Sequence, residues 1–252
     1  MSTPDQSDLV RVAAASVVDA EPPRANEVRI VTVPLDAPPV PVAELRSCLT
    51  QEEQVRADRY KVESPRRQFV IGRGVLRLIL GRYLGIAPRE VPITYNANGK
   101  PILPEPAAEL HFNVSHTDGL AVIALARRPV GIDVEKHRVL ENSEGLVRRF
   151  FSPAERIAFL ELDAKDRPAG VFRGWTCKEA VIKAAGLTVA CLDDFDVEIH
   201  PARPAALLAA RHAVLAADAW QLAAWEPAPG YSAALAVRGE SKLHFELGFE
   251  LR

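Results

Sequence analysis

Gly131-Ile132-Asp133-Val134-Glu135 decides how the rest of this chain is read. Its strict alternation and β-branched residues mark a short strand. Successive side chains of a strand point to opposite faces, so Ile132 and Val134 face a core while Asp133 and Glu135 project together on the other side. Their Cα atoms then lie about 6.6 Å apart, at about 3.3 Å rise per residue. Two carboxylates that close beside a core repel each other unless a cation sits between them. Mg²⁺ suits the arrangement, because it takes one or two carboxylates and leaves its other positions to water and substrate phosphates. The pentapeptide alone fits an acidic strand edge in solvent equally well.

Downstream of this stretch, Ser152 reads as an N-cap, with Pro153 at the first helical position and Glu155 completing a capping box. Asp163 to Gly170 is a polar loop, and a helix follows from about Val171 to Ala185, stopped at Gly186. It carries Trp175-Thr176-Cys177-Lys178-Glu179-Ala180-Val181-Ile182-Lys183. Glu179 and Lys183 are one helical turn apart, hence neighbours. On a bare surface such a pair contributes only about 0.3–0.5 kcal/mol; beside two strand carboxylates, Glu179 offers a third acid to one cation and Lys183 a contact for phosphate. Residues 195–200, 220–225 and 231–237 read as strands.

Upstream, Arg127-Arg128-Pro129 is a joint, preceded by strands over 110–115 and 120–126 with a turn at His116-Thr117-Asp118-Gly119. Asn98-Gly99 is a strong turn signal after a short strand at 93–95. Helices are expected over 42–58 and over 66–84, the latter ending at Gly85, and a first strand over 28–33. Residues 1–26 lack periodicity and read as a mobile leader. A helix ending in Gly85 or Gly186, then a strand and a hairpin, occurs twice. The expected fold is therefore α+β, with two pseudo-symmetric halves, 27–128 and 129–252, each a long helix on a small, mainly antiparallel sheet. The groove between halves is a natural ligand site.

The 252 residues are 48% apolar with a formal net charge of −2, enough for one large or two small domains and too neutral for a general nucleic-acid binder. Three scattered cysteines, Cys48, Cys177 and Cys191, form no CxxC pattern, which argues against a disulfide framework or structural zinc and for a reducing compartment. No signal peptide or membrane-length apolar run is present, so a cytoplasmic, soluble protein is expected.

Two further groupings bear on chemistry. Ser115-His116 closes a strand at a turn, where a hydroxyl, a ring N–H and open amides can meet phosphate. No GxSxG elbow supports a hydrolase triad. Arg56, Arg59, Lys61, Arg66, Arg67, Arg73, Arg77 and Arg82 stand against only Asp58 and Glu63 over 56–82. That concentration suits a ligand with several phosphates, or it is a solvated helix face. No GxxxxGK[ST] or GxGxxG loop is present to cradle a nucleotide.

Taken in order, Asn98-Gly99-Lys100-Pro101, Phe112-Asn113-Val114-Ser115-His116, Gly131 to Glu135, Phe150-Phe151-Ser152 and Trp175 through Lys183 resemble the surfactin-type 4′-phosphopantetheinyl transferases. The resemblance runs from about Arg59 to Gly186, roughly half the chain. It implies transfer of the phosphopantetheine arm of coenzyme A to a serine of an apo acyl or peptidyl carrier protein of fatty acid, polyketide or nonribosomal peptide synthesis, with release of 3′,5′-ADP. It implies that Asp133, Glu135 and Glu179 hold Mg²⁺ on the pyrophosphate, and that Glu179 acts as, or orients, the base. Lys183, Ser115, His116 and Lys100 would contact phosphates, and Arg59, Arg66 and Arg73 the 3′-phosphoadenosine end. A monomer is expected, with no nucleic-acid or membrane partner. Two other classes fit parts of the pattern: a coenzyme A or nucleotide-binding regulatory module without turnover, and a phosphoanhydride hydrolase using the same metal. The acidic trio separates the first of these from an enzyme, because anion binding alone gains nothing from three carboxylates.

Overall fold

The computed structural model describes residues 10–12, 21–239 and 244–247. In chain order these form β1 (Val10–Val12), β2 (Glu27–Pro34), α1 (Val42–Ser47), α2 (Gln51–Asp58), α3 (Glu63–Leu84), β3 (Thr94–Tyr95), β4 (Pro101–Ile102), β5 (His111–Thr117), β6 (Leu120–Ala126) and β7 (Val130–Lys136). There follow α4 (Ser143–Phe150), α5 (Pro153–Glu161), α6 (Arg167–Ala185), β8 (Phe195–Val197), β9 (Leu207–Ala210), α7 (Ala213–Ala216), β10 (Trp220–Trp225), β11 (Tyr231–Arg238) and β12 (His244–Leu247). Most of the leader expected over 1–26 lies outside the described residues; within it, Val10–Val12 form β1.

The architecture is α+β. A five-stranded sheet has the order β1-β12-β2-β6-β5, and a three-stranded sheet the order β10-β11-β7. Most pairings are antiparallel, but β12 runs parallel to both β1 and β2. Residues 244–247, expected to belong with the second half, thus lie in the larger sheet between β1 and β2.

Alternation along the strands sorts side chains into layers. Val31 and Val33 of β2 and Ile123 and Leu125 of β6 pack under α3 with Ile71, Val75 and Ile79. The opposite parity, Val28, Ile30, Val122 and Ala124, meets Ile132 and Val134 of β7 and Leu235 and Val237 of β11 in a core between the sheets. Beyond the smaller sheet, Ala234 and Ala236 face α6 with Cys177, Ala180, Val181 and Ala184. The two long helices are the outer layers, and each ends on a glycine in the left-handed region, Gly85 (φ 66°) and Gly186 (φ 70°), as helix stops favour.

The sheets are stitched by side chains. Ile132 N–H donates to Asn113 Oδ1 (2.8 Å), Val134 N–H to Ser115 Oγ (3.4 Å) and Lys136 N–H to Thr117 Oγ1 (3.4 Å). Asn113, Ser115 and Thr117 of β5 thereby satisfy three amides of β7, as a buried strand edge requires.

Several boundaries differ from the sequence reading. The helix expected over 42–58 breaks at Thr50, whose hydroxyl and Glu53 form a complete capping box for α2. Asp163 to Gly170 is not all loop, because α6 begins at Arg167 with Pro168 in its first turn. His116 and Thr117 remain strand, and the turn is Asp118-Gly119, with Gly119 at φ +80°. The strand expected to reach residue 200 stops at Val197, and α4, capped by the Asn142 side chain, had no expected counterpart.

Candidate active site

Gly131 is the point where α6 meets β7. A Cβ there would run into Ala180 O and Ala184 N, so only glycine lets the helix settle this close. On the same strand face, Asp133 pairs in register with Ala234 and Glu135 with Ser232. Small neighbours leave the two acids beneath the helix. Trp175, Glu179 and Lys183 recur every turn on the stripe of α6 above them.

Asp133 is the hub. It is buried, and its Oδ1 accepts from Lys183 Nζ (2.6 Å) and Ser115 Oγ (2.7 Å). Its Oδ2 is buried with no hydrogen-bond partner. Lys183 Nζ also reaches Ser115 Oγ (3.3 Å) and lies 3.9 Å from Glu179 Oε2. Glu135 Oε1 accepts from Trp175 Nε1 (3.2 Å), and its Oε2 lies 3.7 Å from Arg138.

The three acids share one field. Burial pushes the Glu179 carboxyl above its ordinary value; Lys183 opposes the rise, while Asp133 and Glu135 add to it. Burial and the Asp133 charge likewise raise Glu135, against Arg138, Trp175 and Lys183. The site is short of positive charge, with Lys183 the cation at its centre. The three carboxylates offer only oxygen donors, the kind a hard divalent ion such as Mg²⁺ takes, and one of those oxygens is buried without a partner. Their oxygens do not all lie within 4.8 Å of one another here, so side-chain rotation is needed to bring them onto one ion.

His116 is exposed where this cluster opens toward a cavity of about 210 Å³ lined by Arg56, Tyr60, Phe69, Arg73 and Pro101. Partial desolvation of the ring and the nearby Lys183 charge hold its pKa below the ordinary histidine value. Arg56 lies over the Phe69 ring (5.1 Å), and Arg73 over Phe69 and Tyr95 (6.0 and 5.9 Å). Arg73 Nη1 is buried without a partner. Arg59 and Arg66 are exposed and do not line this cavity. Arg77 is no part of a ligand surface: it is buried, paired to Glu53, and donates to the carbonyls of Pro88, Arg89 and Val91.

Lys100 sits elsewhere. Its Nζ donates to Lys183 O (2.6 Å) and Val130 O (3.0 Å), at the C-terminal end of α6. Desolvation, then the Lys183 charge, lowers its pKa to about 8. It lines the separate cavity of about 300 Å³ beside Ala184–Gly186 and Trp220, so in this arrangement its ammonium is turned from the acidic cluster. Lys178, adjacent to Glu179, points into the core, where both Glu155 oxygens and Phe195 O receive it. Tyr60 and Phe69, which line the cavity with Arg56 and Arg73, were not singled out from the sequence; Arg56 stood only within the basic run and Trp175 only within its helix motif.

Residues 129–236 match the family model described as the 4′-phosphopantetheinyl transferase superfamily, and residues 41–128 that of 4′-phosphopantetheinyl transferase, N-terminal. The chain is 39% identical over 218 residues to 4′-phosphopantetheinyl transferase HetI of Nostoc sp., covering 85% of this chain and 89% of that one. It is 26% identical over 155 residues to 4′-phosphopantetheinyl transferase Sfp of Bacillus subtilis, covering 61% and 68%. Against 4′-phosphopantetheinyl transferase gsp of Aneurinibacillus migulanus the identity is 31% over 142 residues, covering 56% and 58%.

Proposed function

The chain belongs to the 4′-phosphopantetheinyl transferase superfamily and is an enzyme that moves the phosphopantetheine arm of coenzyme A to carrier proteins; from that premise, we propose that Asp133, Glu135 and Glu179 form an Mg²⁺-dependent centre for the transfer. The observation that carries this is the buried, partnerless Oδ2 of Asp133 beside Glu135 and Glu179, whose carboxyls burial and the Asp133 charge raise. When bound, Mg²⁺ neutralises charge on the pyrophosphate oxygens and eases departure of the leaving group.

The chain's own residues supply position and proton handling, which phosphoryl transfer chiefly demands. Lys183 exchanges its contact with Asp133 for a phosphate oxygen. Ser115 keeps Asp133 oriented and lies beside the same oxygens, with His116 at the mouth. The basic–aromatic cavity of Arg56, Phe69 and Arg73 receives the 3′-phosphoadenosine end, with Arg59 and Arg66 on its approach. Lys100 acts by holding the end of α6 against β7. The carrier serine oxygen bonds to the phosphorus bearing pantetheine, the bond from that phosphorus to the bridging oxygen breaks, and 3′,5′-ADP leaves. Glu179 receives the serine proton directly or across a water.

Two features of organisation belong to the same proposal. The chain is a pair of pseudo-symmetric halves, an idea supported by the two long helices stopped at Gly85 and Gly186 and by separate family models meeting at 128/129. It works as a cytoplasmic monomer, since one chain supplies both the acids and the basic cavity, and its cysteines are free. No helix of the described residues is long and apolar enough to cross a membrane.

The test is intact-mass analysis of a panel of apo carrier proteins incubated with coenzyme A and Mg²⁺. One phosphopantetheine added to at least one carrier, and none without the divalent ion, is expected. No adduct across fatty acid, polyketide and nonribosomal peptide carriers would overturn the reading.

A further inference from the structure

We infer that Cys191, Asp194 and His212 form a second metal site, for a thiophilic divalent cation of the Zn²⁺ class, away from the carboxylate cluster. Their donor atoms all lie within 4.8 Å of one another, and all three residues are half-buried. Local structure brings them together. Val189–Asp194 is one run of 3-10 helix, which places Cys191 and Asp194 a turn apart. Asp194 O then accepts from both Arg211 N–H (2.8 Å) and His212 N–H (3.3 Å), anchoring His212 beside them. Arg211, next to His212 in the chain, is engaged elsewhere: it donates to both oxygens of Asp196 and to Asp193 O.

The chemistry of the donors separates this site from the first. Three carboxylates suit a hard, oxygen-seeking ion, whereas a thiolate, an imidazole and one carboxylate suit Zn²⁺. Zinc bonds are about 2.3 Å to sulfur and about 2.0–2.2 Å to nitrogen and oxygen; these fix donor separations below 4.8 Å, so small side-chain rotations complete the set. Three protein ligands leave the fourth tetrahedral position to water. Binding converts the Cys191 thiol to a thiolate, and the displaced proton goes to solvent. It also has a local cost. His212 Nδ1 now accepts from Val214 N–H (3.2 Å) at the start of α7. Ligation through Nδ1 takes that lone pair, and ligation through Nε2 moves the ring proton onto Nδ1, so the cap bond is lost either way.

The ion would clamp the turn that follows α6 to the segment between β9 and α7, fixing Leu192 in the second core. Stability therefore rises with occupancy by mass action.

The experiment is a Co²⁺ titration of the metal-free full-length protein in saturating Mg²⁺, read by near-ultraviolet thiolate-to-cobalt absorption. The expected result is a band saturating at one equivalent and displaced by Zn²⁺, with Zn²⁺ also raising the melting temperature. Cys191→Ser loses the band, Cys48→Ser and Cys177→Ser keep it, and His212→Ala and Asp194→Asn each weaken Co²⁺ binding by more than the roughly 10-fold that loss of a partner outside the ligand shell costs. No thiolate band in the unaltered protein overturns the inference, as does a band that survives in Cys191→Ser. Should Cys191→Ser fail to fold, the Asp194→Asn variant decides: unchanged cobalt affinity there overturns it.

Discussion

Asp133 has one oxygen committed to Lys183 and Ser115 and one buried oxygen committed to nothing, an arrangement that costs stability unless function uses it. Replacing Asp133 with Ala is expected to lower kcat by about 10²–10³ or more, measured by carrier modification, with circular dichroism unchanged. Glu179 makes the cost visible. Its raised pKa means the folded protein holds a proton at pH values where the unfolded chain has lost it. Stability from this group is therefore fully present below the ordinary value of 4.5 and falls as pH rises through the window above it. Glu179→Gln should abolish turnover yet raise the melting temperature at neutral pH and flatten its decline with pH; a variant no more stable than the parent would contradict this. Lys100 has the opposite sign: a lysine lowered to about 8 loses stability as pH falls through that value. A ¹³C-detected titration of its side chain should show a midpoint near 8, moving up in Lys183→Ala. That Asp133 and Glu135 share one strand face, and that Glu179 and Lys183 are neighbours on one helix, was readable from their periods. The Arg77–Glu53 and Lys100–carbonyl contacts were not, because they join residues far apart in the chain.

At the scale of elements, α6 and β7 are a matched pair. The close approach at Gly131 sets Lys183 over Asp133, and adding one methyl there forces the helix outward. Gly131→Ala is expected to destabilise by about 1–3 kcal/mol through overpacking, seen in denaturant melts, and to reduce turnover even where the protein remains folded. The side-chain seam between the sheets predicts a further loss. Asn113→Ala orphans the buried Ile132 amide, at a cost of about 1–3 kcal/mol. Beneath the site, Lys178 and Glu155 form a fully buried pair. Lys178→Met alone should cost about 3–5 kcal/mol, because it strands the Glu155 charge, and a second apolar change at Glu155 should recover much of it. The Ser152-Pro153-Glu155 start of α5 was legible as a local cap. The Thr50–Glu53 box has the same signature, yet helical periodicity runs through it and hides the break. Only packing shows that Glu155 also anchors Lys178.

Across the whole molecule, two sheets pack face to face through a shared core and a long helix covers each outer side, α3 on the larger sheet and α6 on the smaller. The α+β class was legible in the sequence, as were the two long helices stopped at Gly85 and Gly186. The crossing of β12 into the larger sheet was not, since nothing local in His244–Leu247 marks a partner more than 200 residues upstream. The central claim is that Asp133, Glu135 and Glu179 are ligands to one divalent ion at the pyrophosphate. Its most direct test is the anomalous difference map of a crystal grown with coenzyme A and Mn²⁺ in place of Mg²⁺. The account predicts a manganese peak bonded to Asp133 Oδ2 and to oxygens of Glu135 and Glu179, with Lys183 turned from Asp133 to a phosphate. A well-occupied coenzyme A whose manganese binds none of the three carboxylates would contradict it.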